Sequence, residues 1–244
     1  MKKEIAIIGY GRFGRCAAHH LKNKYSVFVS DVSPISNVER GVRAVPLTEA
    51  ASKTVVILAV PINKLSSLLQ AIAPHLTANA LVCDVCSVKE QPVRWMKQIL
   101  PKHVSILATH PLFGPDSAAT TLRGRQIILS PVRISSAKLK RCTKALQSLQ
   151  LSTHLMTPTE HDRLMASTLF LTQFVGRCLK NFPNQTAMVS TNNFRLLSEV
   201  VATSTKDSPE LFRDMYRYNR FARAIPRKVL QSTLSTITLL HSTD

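Results

Sequence analysis

Through residues 1–150, short apolar runs alternate with amphipathic stretches. The runs EIAIIG, YSVFVSD, TVVILAVP, ALVCDVC, HVSILATHP and RQIILS are rich in Val and Ile and bounded by Gly, Pro, Asp or Asn. Their spacing predicts strands, and their continuous rather than alternating apolar character predicts a parallel sheet covered on both faces. Helical periodicity falls between several of them, at Arg12–Leu21, Asn63–Leu76, Lys89–Leu100 and Ser135–Leu149. The segment VSPISNVERGVRAVPL after Asp31 is too short and irregular for a full helix, so one crossover is expected to be trimmed. Around Ser152–Glu160 the texture changes. From Pro158 onward only helical patterns recur, at Glu160–Leu179, Asn193–Thr203, Pro209–Tyr218 and Pro226–Leu240. Asp207-Ser208-Pro209-Glu210 reads as a helix cap with proline in the first turn. The expected architecture is an α/β Rossmann-like parallel sheet domain (1–155) followed by a smaller all-α domain (156–244).

Composition narrows the class. With 244 residues and 45% hydrophobic content the chain can bury a core. Its longest apolar run, Thr54–Pro61, falls far short of the roughly 20 residues a membrane span needs. EIAIIG runs straight into a glycine turn without the pattern of an export signal, so a cytoplasmic protein with no membrane partner is expected. The five cysteines are odd in number and scattered, which argues against a disulfide framework. Cys83 and Cys86 form a C-x-x-C, but no second pair completes a zinc site. They read as core or loop-lining thiols, and no metal is expected.

The formal charge of +18 raises nucleic acid as a partner. Residues 1–150 hold 21 Lys+Arg against 7 Asp+Glu, a balance of +14; residues 151–244 hold 11 against 7, a balance of +4. The basic residues are dispersed and aromatics make up only 6%, so nucleic acid is the minor reading. The excess lies in the half that carries a polyphosphate motif.

That motif is Gly9-Tyr10-Gly11-Arg12-Phe13-Gly14, a G-x-G-x-x-G between a strand and a helix. Its glycines permit a tight turn and close approach of backbone N–H groups to a pyrophosphate. YSVFVSD ends in Asp31, 22 residues after Gly9, where a carboxylate accepts from ribose hydroxyls and repels a 2′-phosphate. NAD is therefore expected over NADP. Arg12 either lies across the phosphates or is a solvated helix-start residue. At another strand end, Thr109-His110-Pro111-Leu112-Phe113-Gly114-Pro115 presents an imidazole from a rigid element towards the ligand crevice. At a third, Asp84-Val85-Cys86-Ser87-Val88-Lys89 offers Ser87, which either hydrogen-bonds near a nicotinamide or caps the following helix.

These motifs, with Glu160-His161-Asp162, Phe170-Leu171-Thr172-Gln173-Phe174-Val175-Gly176-Arg177, Asp207-Ser208-Pro209-Glu210-Leu211 and Tyr216-Arg217-Tyr218-Asn219, resemble the prephenate/arogenate dehydrogenase family of tyrosine biosynthesis, most of all its short plant-type branch. The resemblance covers nearly the whole chain. It implies NAD(P)-dependent oxidative decarboxylation of a cyclohexadienol, arogenate or prephenate, to a phenol. It implies that His110 hydrogen-bonds the ring hydroxyl and that Ser87 orients that histidine. His161 and Asp162 are expected either to help hold the hinge between domains or to cap the long helix. Four apolar-striped helices in about 90 residues form too thin a layer to bury all their faces alone, so the helical half is expected to form a homodimer. Two positions depart from the family pattern. Gln173 stands where the family usually has a histidine, and Thr203 where many bacterial members carry a carboxylate-binding arginine. Nearby Lys206, Arg213, Arg217 and Arg220 either supply the charge or are surface helix residues, Arg217 being the expected substrate contact. Gln173 is expected to face substrate, with the small residues Thr172 and Gly176 leaving it room. The competing readings are another dehydrogenase of the same build, and a non-catalytic cofactor- or nucleic-acid-binding protein on the same fold.

Overall fold

The computed structural model describes residues 2–182 and 189–242. The chain divides into two compact units, Met1–Pro158 and Thr159–Asp244.

The first unit is built on one eight-stranded sheet in the order β3-β2-β1-β4-β5-β6-β7-β8. Its strands are β1 (Glu4–Ile8), β2 (Ser26–Ser30), β3 (Val42–Ala44), β4 (Val55–Leu58), β5 (Leu81–Asp84), β6 (Ser105–Pro111), β7 (Gln126–Arg133) and β8 (Ser152–Leu155). Helices α1 (Arg12–Leu21), α2 (Leu47–Ala51), α3 (Ile62–Ile72), α4 (Glu90–Ile99) and α5 (Ser136–Gln147) connect them. The six strands read from apolar runs all form. Two short strands, β3 and β8, have too few apolar residues to register as a pattern. The trimmed crossover after Asp31 consists of β3 and the five-residue α2.

The expectation of a wholly parallel sheet needs one correction: β6 and β7 pair antiparallel, while every other pair is parallel. A loop rather than a crossover helix joins them, so the chain returns along the neighbouring strand in the opposite sense. Pro131 lies within β7 opposite Leu107, where a bulge between Ile106 and Leu107 absorbs the irregularity in the ladder. On one side of the sheet, Ile62, Leu65, Leu69 and Ile72 of α3 and Met96 of α4 are fully buried. On β4, Val56 and Leu58 are fully buried, whereas Val55 and Ile57, which alternate with them, are only half-buried.

The second unit is helical throughout its described residues: α6 (Pro158–Met165), α7 (Leu171–Cys178), α8 (Asn192–Lys206), α9 (Pro209–Tyr218) and α10 (Ile225–His241). The helix expected over Glu160–Leu179 is interrupted by one π-helical turn, Ala166–Phe170. Phe170 anchors the packing there, stacked on Phe212 at 5.3 Å and within 5.9 Å of Tyr216. Ser208 caps α9 by accepting from the Leu211 N–H, with Pro209 in the first turn.

Candidate active site

The turn between β1 and α1 has the geometry its glycines allow. Gly9 adopts φ +99°, and a Cβ there would lie 2.3 Å from the Ala59 carbonyl oxygen. A Cβ on Gly14 would fall 1.9 Å from the Gly9 carbonyl oxygen, so this glycine lets α1 close onto its own turn. Gly11 differs: a Cβ there would meet nothing within 4 Å. Its surroundings are open, and no side chain caps the helix that starts beside it. An open glycine before an uncapped helix N-terminus fits an anionic group such as a pyrophosphate. Asp31, just beyond β2, accepts from the Tyr10 N–H at 2.6 Å and the Ser33 N–H at 2.9 Å. Its carboxylate is thus fixed beside the glycine turn, with lone pairs remaining for ribose hydroxyls.

At the ends of β5 and β6 a buried polar cluster forms. Asp84 and Lys89 are both fully buried and form an ion pair. The Asp84 carboxylate also accepts from the Cys86 N–H at 3.0 Å and the Thr109 N–H at 3.3 Å, and its carbonyl accepts from the Thr109 hydroxyl at 2.5 Å. One carboxylate therefore ties the loop carrying Ser87 to the strand end carrying His110. His110 is only 6% exposed. Ser87 Oγ is buried without a hydrogen-bond partner, and no side chain caps α4, so Ser87 is not that helix's cap. Cys83 and Cys86 are buried, and burial pushes the Cys83 thiol far above its ordinary range, as expected of core thiols.

The loop after His110 sits on α1. Arg12 donates to Asp116 at 2.8 Å, the Phe13 and Phe113 rings lie 6.1 Å apart, and His20 Nε2 lies 2.7 Å from the Ala118 carbonyl oxygen. The glycine turn and the His110 strand end thus belong to one constellation at the carboxyl ends of β1 and β6.

In the second unit, Gln173 is 5% exposed and donates through Nε2 to Asp207 at 2.6 Å, while its Oε1 is buried without a partner. Arg177, half-buried beside it, donates to the Asp207 carbonyl at 2.7 Å and lies 4.8 Å from the Phe212 ring. Gly176 corrects one expectation. A Cβ there would lie 2.5 Å from Ser204 Oγ, so its small size admits α8 and does not leave room for a ligand. His161 Nδ1 lies 2.7 Å from Asp162 Oδ1, both fully buried, and Asn219 donates to the Asp162 carbonyl. Thr203 is exposed and donates to carbonyls of its own helix. Arg217 is exposed, with its guanidinium 5.4 Å from the Tyr218 ring.

The model of the prephenate dehydrogenase nucleotide-binding domain matches residues 20–155, more than half of the chain. The chain belongs to the prephenate dehydrogenase family. A second model, described as the TYRAAT1-like C-terminal domain, matches residues 178–239. The chain is 28% identical to arogenate dehydrogenase 2, chloroplastic, of Arabidopsis thaliana, over 88% of its own length and 64% of that relative's. It is 30% identical to a probable arogenate/prephenate dehydrogenase of Methanocaldococcus jannaschii, over 88% of its own length and 52% of that relative's. It therefore spans about half to two thirds of the length of these relatives. In fold it resembles prephenate dehydrogenase from A. aeolicus, solved in complex with hydroxyphenyl propionate and NAD+. The TM-score is 0.80 at 19% identity, covering 98% of this chain and 91% of that one.

Within this family member, three residues lie inside the motifs without standing out in them as site residues. Lys89 looks like a solvated helix-start cation, and only its burial reveals the pairing with Asp84. Asp207 reads as part of a cap; because Ser208 does the capping, the Asp207 carboxylate is left to meet Gln173. Arg177 sits one helical turn after Gln173, a spacing that places both on one face, and that is the signal from which it was legible.

Proposed function

We propose that the protein catalyses NAD-dependent oxidative decarboxylation of arogenate or prephenate, giving tyrosine or 4-hydroxyphenylpyruvate. One observation carries this reading in a chain of this family. The start of α1 beside the glycine turn of the nucleotide-binding domain meets the loop that follows His110 through Arg12–Asp116 and Phe13–Phe113. Gly9, Gly11 and Gly14, with the start of α1 at Arg12 and Phe13, would hold the pyrophosphate, and Asp31 the adenosine ribose, which favours NAD over NADP. When bound, NAD supplies the acceptor for the hydride leaving the ring carbinol. His110 accepts the hydroxyl proton as the carbonyl develops, and loss of the ring carboxylate as carbon dioxide completes an aromatic ring. The buried Ser87 hydroxyl, unpaired in the protein, would pair with the substrate hydroxyl or with His110.

The substrate's side chain is read by Gln173. Its buried Oε1 accepts but does not donate, and its amide is held by the Asp207 carboxylate. Two acceptors suit the ammonium of arogenate better than the keto oxygen of prephenate, so arogenate is the preferred substrate. Arg177 supplies a cation beside Gln173 for a substrate carboxylate, and Arg217, exposed on α9, is a second. The helical unit supports a homodimer, because Leu230, Leu234 and Ile237 of α10 and Leu196 and Leu197 of α8 are exposed. The five free thiols of the chain suit a reducing compartment such as the cytoplasm; among the described residues no helix is long and apolar enough to cross a membrane. The deciding experiment follows NADH formation with arogenate and with prephenate, NAD and NADP being compared for each. Turnover with NAD, and a higher kcat/KM for arogenate, are expected. No turnover of either substrate would overturn the assignment.

A further inference from the structure

The sheet of the first unit is unevenly covered on the side where α1 and α5 lie. Helix α1 packs over β1 and β2, and α5 over β8. The antiparallel β6–β7 connection supplies a loop where a crossover helix would otherwise cover β5 and β6. Between α1 and α5 this leaves a cavity of about 500 Å³. Its floor includes Val55, Ile57 and Leu81, and its walls Ala17, Leu21, Leu146 and Leu149. Val55 and Ile57 are half-buried although β4 is an inner strand, flanked by β1 and β5. Protein interiors are close-packed, with few voids larger than a water molecule. An apolar cavity of this volume lies in the range of small-molecule sites.

Its charge selects the class of ligand. Among the described residues lining it there is no Asp or Glu, whereas Lys3, Lys138 and Arg141 are all present. All three stand near enough to Cys142 to favour its thiolate, opposing the burial that raises the thiol's pKa. Lys138 is held there by bonds to the Asn79 carbonyl at 2.9 Å and Ser105 Oγ at 2.8 Å, which leave its third N–H. Leu81 and Val85 both line the cavity, so it runs along β5 for about 13 Å at ~3.3 Å per residue, the reach of a medium-length acyl chain.

We propose that this groove binds a single-chain aliphatic carboxylate, its tail laid along the sheet between α1 and α5 and its carboxylate at Lys3, Lys138 and Arg141. The groove borders the cofactor turn at Phe13 and the His110 strand end at Thr109 and Pro111, but Lys3, Lys138, Arg141 and Cys142 have no part in the dehydrogenase reaction, and binding there does not depend on that assignment. Calorimetric titration of the full chain with dodecanoate, below its micellar concentration, tests it beside dodecyltrimethylammonium and dodecanol. One dodecanoate should bind per chain, with the cationic amphiphile at least tenfold weaker. Cys142→Trp, which fills the groove, and Arg141→Glu, an exposed position where folding is not at stake, should each weaken dodecanoate at least tenfold. Bound dodecanoate should also slow alkylation of Cys142. Absence of binding, equal affinity for the cation, or binding unchanged in Arg141→Glu would overturn the proposal.

Discussion

His110 is held by its neighbours. Thr109 bonds Asp84 through both its N–H and its hydroxyl, and Pro111 follows, so the imidazole projects from a segment with little freedom. Replacing His110 with Asn keeps the size and removes the base; turnover should fall by about 10²–10⁴-fold with NAD affinity largely retained, as steady-state kinetics and a binding titration would show. Gln173 is the second residue whose chemistry is set by its partner. A neutral amide makes binding insensitive to pH over the range where an imidazole titrates. In Gln173→His the Asp207 carboxylate would favour the charged imidazole and raise its pKa. Prephenate binding should then strengthen at low pH and weaken as pH rises through the raised value, with the arogenate-to-prephenate ratio of kcat/KM falling. Profiles of kcat/KM between about pH 5.5 and 7.5 check this. An unchanged profile and ratio would show that Gln173 does not meet the substrate.

At the scale of elements, the loop from β5 to α4 depends on a charge pair that water does not reach. Removing one partner of such a pair leaves the other buried and uncompensated. Lys89→Met should therefore cost about 3–5 kcal/mol of stability, read from urea unfolding, whereas an exposed cation such as Arg141 should be replaceable at little cost. The sequence displayed the six apolar strands and the helices around them because their apolar runs are unbroken. The reversed direction of β7 was not legible: a run such as RQIILS looks the same whichever way it pairs. The π-helical turn was hidden for a related reason. It inserts a residue without altering apolar content, so a straight 3.6-residue count from Glu160 misphases the face on which Gln173 lies. The glycine motif, Asp31, Ser87 and His110 were visible because each stands at a strand end in its expected position. The pairs Asp84–Lys89 in the first unit and Gln173–Asp207 in the second join residues five and thirty-four apart in the chain, and burial and folding rather than an apolar pattern bring them together.

For the whole molecule, the exposed stripe of α10 is the feature most at odds with a solitary chain. Only Ile225 of its seventeen residues is buried. Burying Leu230, Leu234 and Ile237 against a second copy removes that apolar surface from water, at about 25 cal/mol per Å². Sedimentation at micromolar concentration should show a dimer of the 27.1 kDa chain, and Leu234→Glu with Ile237→Glu should convert it to monomer. A native protein that sediments only as monomer would refute this.

The order of strands also has a consequence for how the chain is made. After β4 the sheet grows at one edge only: β5 pairs with β4, β6 with β5, β7 with β6 and β8 with β7. A chain emerging from the ribosome at about 5–20 residues per second would therefore find, for each of these strands, a partner already synthesised. β1 differs in having both neighbours later in the chain, gaining the second when residues 55–58 appear. The nucleotide-binding sheet can thus be completed by sequential addition before the helical unit is translated.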